Sequence, residues 1–139
     1  MYIKRIELRL LREKTVPYSG PINSAANVYE MFSMLSSNVQ EEIYAIYLDA
    51  KNRVVGYYQV AKGSINHAHI KAADVLRPAL LTNATSCILV HNHPSGVATP
   101  SEADLLVTKQ IAEAGKILGL DLIDHLIVTK DGFQSISLS

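Results

Sequence analysis

The sequence has little cysteine and no net charge. Its single thiol, Cys87, excludes an internal disulfide framework and any zinc site made of several cysteines, and it is typical of a reducing compartment. The 13 Lys and Arg residues are balanced by 13 Asp and Glu residues. This neutrality argues against a general binder of nucleic acid or acidic membranes, because such proteins depend on a cationic surface.

Long apolar runs are also missing. The stretch Cys87–Val90 is among the longest, far short of the ~20 apolar residues that span a bilayer. The first residues, MYIKRIELRLLREK, interrupt every short apolar run with a charge and cannot form the core of a signal peptide. No repeat or linker-like stretch divides the 139 residues, of which 48% are hydrophobic and 19% charged. We therefore expect one globular domain over residues 1–139, located in the cytoplasm and without membrane contact.

Hydrophobic periodicity predicts alternating strands and helices. Strands are indicated at 3–11, 41–49, 53–63 and 86–91, with two more in 121–139 around the turn Lys130-Asp131-Gly132, and helices from Ser24 onward, at 72–82 and at 101–119. Ser24 and Ser101 are suitable N-caps, and Gly119 is a suitable C-cap. Pro78 lies beyond the first turn of the second helix and is predicted to kink or end it early. The pattern predicts an α/β fold built on a mixed, mostly antiparallel β-sheet flanked by helices.

Two histidines at the end of a buried strand give the most specific chemical signal. His91 and His93 are spaced i, i+2, which puts both imidazoles on one face of a strand. The bend formers after them allow both rings to turn toward one ion, and Asp104 lies in the first turn of the next helix. Two imidazoles and one carboxylate form a zinc ligand set that leaves the fourth position to water, as in catalytic rather than structural sites.

The spacing H-x-H-x7-S-x2-D, from His91 through Ser101 to Asp104, resembles the JAMM motif of JAB/MPN-type metalloproteases. The stretch HNHPSGVATPSEADLLVTKQIAEAGKILGLDLIDHLIV is similar to the bacterial RadC branch of that group. The similarity extends upstream through EEIYAIYLDAKNRVVG and GSIN, so that it covers about residues 40–139 well and the first forty only loosely. The resemblance implies a single RadC-like JAB/MPN domain.

The same resemblance implies a division of roles. His91, His93 and Asp104 would hold zinc. Glu42 would act as general base and then as general acid, while Ser101 would hydrogen-bond a developing oxyanion. Glu41 is the alternative base, because a sequence gives strand boundaries only to within a residue or more. The implied function is a zinc-dependent hydrolase of metallopeptidase or isopeptidase type, which acts on a peptide or protein substrate through a metal-activated water.

Two other functions fit the same resemblance. RadC is associated with DNA repair, so one alternative is a non-catalytic accessory role in repair or recombination, and another is a metal-dependent nuclease. RadC-type chains usually carry a helix-hairpin-helix region before this domain, and 139 residues leave no room for it, which weakens the case for DNA contact through that region. Ala72-Ala73-Asp74 also stands where the family tends to have Pro-Arg-Glu, so a substrate or partner contact there is expected to differ. The natural substrate and the oligomeric state stay open.

Three other features have competing interpretations. His67 and His69 form a second H-x-H, which is more typical of a solvent-facing strand than of a ligand pair or the lining of a substrate groove. Asp124-His125 is either an orienting group behind the metal ligands or a buried pair that holds the sheet together. Cys87 lies four residues from His91, about 13 Å at strand rise, which predicts core packing rather than metal binding.

Overall fold

The described residues form a five-stranded mixed sheet with helices on both faces. In the computed structural model, which describes residues 1–7, 20–33, 39–63, 65 and 70–136, the elements are α1 (Ala25–Met31), β1 (Glu42–Leu48), β2 (Val54–Lys62), α2 (Ala72–Leu81), β3 (Ser86–Asn92), α3 (Glu102–Leu118), β4 (Asp121–Thr129) and β5 (Gly132–Ser135). The strands lie in the order β2-β1-β3-β4-β5. The β3–β4 pair is parallel, and the other pairs are antiparallel. The predicted α/β fold class is confirmed.

Capping side chains set the helix starts that the sequence predicts. The Ser24 hydroxyl accepts the Asn27 N–H at 3.3 Å, and the Ser101 hydroxyl accepts the Asp104 N–H at 3.0 Å. The helix α3 ends at Gly119, whose φ of 73° lies in the left-handed region that glycine adopts at little cost. The predicted strand at 3–11 is wrong for its described part, because residues 3–7 are not in the sheet, while residues 8–11 lie outside the described residues.

Pro78 does not end α2 early, which is one of the two effects predicted for it. The helix continues to Leu81, although the proline ring removes the N–H that would bond to the Asp74 carbonyl. A proline in a helix interior costs about 3 kcal/mol relative to alanine. Burial of Val75, Leu76 and Ala79 offsets that cost because these side chains pack into the core between α2, α3 and the sheet.

Two hydrophobic clusters hold the sheet between its helices. One cluster joins α2 and α3 to the sheet through residues such as Tyr47 and Ile111, and the other joins α1 to the opposite face through Phe32 and Leu126. The helices are therefore apolar on one side only. Within the part of the chain that the structure describes, none of them combines the length and hydropathy that crossing a membrane requires.

The parallel pairing of β3 with β4 determines where the candidate site lies. Parallel neighbours need a crossover connection, which residues 93–100 and α3 provide. The last residues of β3 therefore lie at the sheet edge where α3 begins. The antiparallel strand β1 starts at the same edge, since Ile43 is paired with His91. Residues 41–42, 91–93 and 101–104 consequently meet at one place.

Gly115 lies where the chain turns back from α3 toward β4. The Leu120 N–H donates to the Gly115 carbonyl at 2.8 Å, and a Cβ atom at residue 115 would overlap the Leu120 carbonyl oxygen. Alanine in place of glycine normally stabilises a helix interior by about 0.5–1 kcal/mol. Here we expect Gly115→Ala to lower the free energy of unfolding by about 1–3 kcal/mol, because the added methyl group overpacks the turn. Urea unfolding measures the change, and a variant as stable as the wild type would contradict this packing.

Candidate metal centre

Two histidine rings meet two carboxylates at the end of β3. His91 is fully buried, and His93 follows the strand with 14% of its side chain exposed. His91 Nε2 lies 2.7 Å from Glu41 Oε1, and His91 Nδ1 lies 3.3 Å from Asp104 Oδ1. His93 Nε2 lies 3.3 Å from Asp104 Oδ2 and 4.0 Å from Glu41 Oε1. The structure thus brings the three predicted ligands together, with Glu41 beside them.

Asp104 is held by the start of α3. Its Oδ2 accepts the Ser101 N–H at 2.8 Å, while the Ser101 hydroxyl accepts the Asp104 N–H, so the two residues form a reciprocal capping box. Burial by itself would raise the pKa of this carboxyl group. Contacts with the His91 and His93 imidazoles and with the Ser101 N–H outweigh burial and hold the pKa well below its usual range. Asp104 is therefore a buried, ionised carboxylate, as a metal ligand must be.

Glu41 and Glu42 lie on opposite faces of the sheet, because consecutive residues of an extended chain alternate. The Glu41 carboxylate faces the His91 ring. The Glu42 carboxylate accepts hydrogen bonds from Gln59 Nε2 at 2.8 Å and from the Tyr44 hydroxyl at 3.3 Å. The structure therefore places the alternative acid, Glu41, beside the imidazoles, and the predicted base, Glu42, on the other face.

Asn92 fixes the chain on either side of Glu41. Its Oδ1 accepts the Glu42 N–H at 2.6 Å, and its Nδ2 donates to the Gln40 carbonyl at 3.0 Å. From the neighbouring strand end, the Gly63 N–H donates to the Glu41 carbonyl at 2.9 Å. These bonds define the backbone position of Glu41, although β1 itself begins one residue later.

A hydrogen bond at Nδ1 determines which nitrogen of His93 carries the proton. His93 Nδ1 lies 2.8 Å from the Val97 carbonyl oxygen, which can only accept, so Nδ1 carries a proton. In the neutral ring, Nε2 then presents a lone pair to the Asp104 and Glu41 carboxylates. Such an arrangement attracts a cation, either a proton or a metal ion. A histidine that binds a metal through one ring nitrogen commonly donates the N–H of the other to a backbone carbonyl.

The donor atoms fit a divalent metal ion. One ligand atom each from Glu41, His91 and His93 lie within 4.8 Å of one another. Ligand atoms on a tetrahedral zinc ion are about 3.4 Å apart, close to the 3.3 Å between His93 Nε2 and Asp104 Oδ2. Imidazole and carboxylate donors together suit zinc and its neighbouring transition metals. The cluster is a candidate metal site, and the assignment of individual ligands stays a prediction.

His93 should make the stability of the metal-free chain depend on pH. The Asp104 carboxylate, supported by the Val97 carbonyl and the charge of Glu41, outweighs burial and raises the pKa of His93 above its ordinary 6.5. Protonated His93 therefore stabilises the fold fully below that value, and the contribution is lost as the pH rises through the raised pKa.

We expect the metal-free chain to resist urea better at about pH 6 than at about pH 8.5, and His93→Gln to remove most of the difference. Urea unfolding in the presence of a chelator measures both. An unchanged pH dependence in His93→Gln would show that another group is responsible.

The two residues of the Asp124-His125 pair have different surroundings. Asp124 accepts the His125 N–H at 2.7 Å and the Ser135 hydroxyl at 2.8 Å, and so joins β4 to β5. The His125 ring is buried on the face of the metal site and stacks on the His91 ring, with centroids 6.1 Å apart. Asp124 thus helps to hold the sheet together, which is one of the two predicted roles of the pair. His125 lies beside the proposed ligand His91, where a side chain that orients a metal ligand is expected.

The remaining sequence interpretations concern Cys87 and a second histidine pair. Cys87 is buried in the core, as predicted, and burial raises the pKa of its thiol to about 12. His67 and His69 lie outside the described residues.

Two residues that support the site carry weak sequence signals. Thr108 is buried one helical turn after Asp104. The sequence signal for it is the i, i+4 spacing, which places both side chains on one face of the helix. Asn92 lies between the two histidines on a strand, where its side chain is expected on the face opposite theirs. Its bonds to the Glu41 segment depend on the pairing of distant strands, which no local pattern gives.

Comparison with known proteins identifies the family of this chain. The family model described as RadC-like JAB domain matches residues 22–139. A UPF0758 protein of Roseiflexus castenholzii is 40% identical over 115 residues, which cover 82% of this chain and 49% of that protein. UPF0758 proteins of Geobacillus sp. strain WCH70 and Geobacillus thermodenitrificans are 42% and 43% identical, and each match covers 84% of this chain and 50% of the relative.

The chain therefore spans about half the length of the curated relatives it matches. The family match includes the two strands and the helix whose ends form the site, β1, β3 and α3. The resemblance seen in the sequence is confirmed, and the chain belongs to the family of RadC-like JAB domains.

Proposed function

We propose that this domain is a zinc-dependent hydrolase that cleaves peptide or isopeptide amides. The observation that carries the proposal is the convergence of two imidazoles and two carboxylates, from the ends of β1 and β3 and the start of α3, within contact distance of one another. Burying such charged groups is costly unless they are paired or bind a cation. Three separate segments of the chain contribute side chains to this cluster, which supports its interpretation as a functional site.

His91, His93 and Asp104 are the proposed ligands. Two neutral imidazoles and one carboxylate are a common catalytic zinc set, and Asp104 is ionised and fully buried. When bound, zinc supplies Lewis acidity, lowering the pKa of a coordinated water and polarising a substrate carbonyl.

Glu41 is the proposed proton carrier. Its side chain is 29% exposed, whereas that of Asp104 has no exposure. A group that takes a proton from water and returns it to a leaving amine must reach both, and Glu41 does so more readily than the buried carboxylate. Glu41 Oε1 would accept the proton from the attacking water and then donate it to the amine nitrogen.

Ser101 is proposed to bind the substrate oxygen. Its hydroxyl oxygen accepts the Asp104 N–H, so the hydroxyl proton stays free to donate elsewhere. A hydroxyl held at the start of α3, next to the ligand Asp104, is suited to a carbonyl oxygen that gains negative charge. Peptide and protein substrates are accordingly the proposed partners.

Metal analysis and cleavage assays on the purified chain test the proposal. We expect about one zinc ion per chain, and cleavage of some members of a peptide and isopeptide panel that stops on chelation and returns with zinc. Absence of metal binding, or cleavage that survives chelation, would contradict it. Parallel incubations with single-stranded and branched DNA separate the alternatives: metal-dependent cleavage would indicate a nuclease, and salt-dependent binding without cleavage an accessory role.

A further inference from the structure

A buried hydrogen-bond relay lies behind Asp104. The Thr108 hydroxyl lies 2.6 Å from the Asp104 main-chain carbonyl and 2.6 Å from His125 Nδ1. Thr108 and His125 are 1% and 2% exposed, so water hardly competes for these bonds. The relay joins the first turns of α3 directly to the middle of β4, which the chain itself reaches only after the full length of α3.

The direction of the relay follows from the chemistry of its members. A hydroxyl carries one proton, and a carbonyl oxygen can only accept. The Thr108 proton therefore goes to the Asp104 carbonyl, and the Thr108 oxygen accepts the proton of His125 Nδ1. The chain of donors runs from His125 through Thr108 to Asp104, and each bond polarises the next. This order fixes both the orientation of the His125 ring and the position of the helix turn that carries Asp104.

His125 also touches the other side of the metal site. Its ring is 6.1 Å from the His91 ring, with an angle of 23° between the planes. The parallel register places Leu89 opposite His125 and Ile127 opposite His91, so the two histidines are diagonal neighbours on one face of the sheet. His125 therefore contacts one proposed ligand directly and a second through Thr108.

We propose that Thr108 and His125 are positioning residues that hold the Asp104 carboxylate and the His91 ring in the orientation a divalent cation requires. The inference rests on the proposed function, because it needs His91 and Asp104 to bind the ion. Groups that orient metal ligands typically account for about 10–100-fold in metal affinity. Displacements of about 0.5 Å are enough to weaken a site, and without the relay the first turns of α3 lose this polar connection to β4.

Zinc affinity of the full chain, measured by competition with a chromogenic chelator, tests the proposal. Thr108→Val keeps the side-chain shape and removes the hydroxyl, and we expect the affinity to fall about 10–100-fold. Thr108→Ser restores the hydroxyl and with it most of the affinity. Thr82→Val is the matched control, because the Thr82 hydroxyl donates to the Pro78 carbonyl at 2.8 Å, which is the same bond one turn back in α2. Its zinc affinity is expected to equal that of the wild type.

A second variant and a spectroscopic readout keep the test valid if Thr108→Val does not fold. His125→Asn retains a donor for Thr108 but removes the ring that stacks on His91. With Co²⁺ as the probe, the d–d absorption bands report the arrangement of the ligands. We expect the bands to shift in Thr108→Val and His125→Asn and to stay unchanged in Thr108→Ser and Thr82→Val.

The outcomes separate this inference from the proposed function. Zinc binding by the wild type that Thr108→Val and His125→Asn leave unchanged would overturn the inference and leave the proposed function intact. Failure of the wild type to bind zinc would overturn both. An equal loss of affinity in Thr82→Val would also overturn the inference, since it would assign the effect to general destabilisation.

Discussion

Glu41→Gln is expected to slow amide hydrolysis by about 10²–10⁴-fold, the usual contribution of a general acid–base group. Glutamine has nearly the same shape but cannot carry the proton between water and the leaving amine. Zinc content should stay close to that of the wild type, because the proposed ligands are His91, His93 and Asp104. Steady-state cleavage of a peptide or isopeptide substrate, together with metal analysis of the same sample, measures both quantities.

Glu42→Gln is the matched control for this result. It makes the same chemical change one residue away, on the face where Gln59 and Tyr44 bond to the carboxylate. We expect the hydrolysis rate to remain near that of the wild type. Loss of activity in Glu42→Gln alone would restore the assignment made from the sequence. Loss of zinc in Glu41→Gln would instead identify Glu41 as a ligand, in line with its position near both imidazoles.

Asp104→Asn is expected to weaken zinc binding by more than the roughly 10–100-fold that loss of a supporting group causes. The amide oxygen can still accept the Ser101 N–H, so the helix start is preserved. What is lost is the negative charge that faces His91 and His93, on which binding of a dication depends. Competition with a chelator measures the affinity, and circular dichroism checks that α3 is intact.

Asp124→Asn provides the comparison for Asp104→Asn. Asp124 is also a carboxylate bonded to a main-chain N–H, but it ties β4 to Ser135 of β5. Zinc affinity should be unaffected there. Equal losses of zinc affinity in both variants would mean that the affinity depends on the stability of the fold and not on ligation by Asp104. An unchanged affinity in Asp104→Asn would exclude Asp104 from the ligand set.

The sequence predicts much of this fold because its signals are local. Cap residues such as Ser24 and Ser101, the apolar run of β3 and the turn before β5 each determine their own element. Pro78 shows the limit of local rules, since the burial of one side of α2 outweighs the poor helix propensity of proline. Residues 3–7 illustrate the same point, because a local strand prediction does not give a segment a partner strand.

The site is predictable where its residues are close in the sequence. His91, His93, Ser101 and Asp104 belong to one stretch whose crossover geometry brings them together. The acid from β1 is different, because a shift of one residue moves a side chain to the other face of a sheet. Choosing between Glu41 and Glu42 requires the pairing of β1 with β3, and that pairing is a long-range property.

The buried thiol of Cys87 gives this protein a built-in reporter of its own opening. It is the single cysteine of the chain, lies in the central strand β3 and has a pKa raised to about 12. A protonated, enclosed thiol reacts with alkylating reagents only while the surrounding structure is transiently open. The rate of labelling therefore measures how often the structure around β3 opens, and β3 also carries His91. A comparison of that rate with and without bound cation would show how far the cation suppresses opening of the strand, and it needs no engineered label.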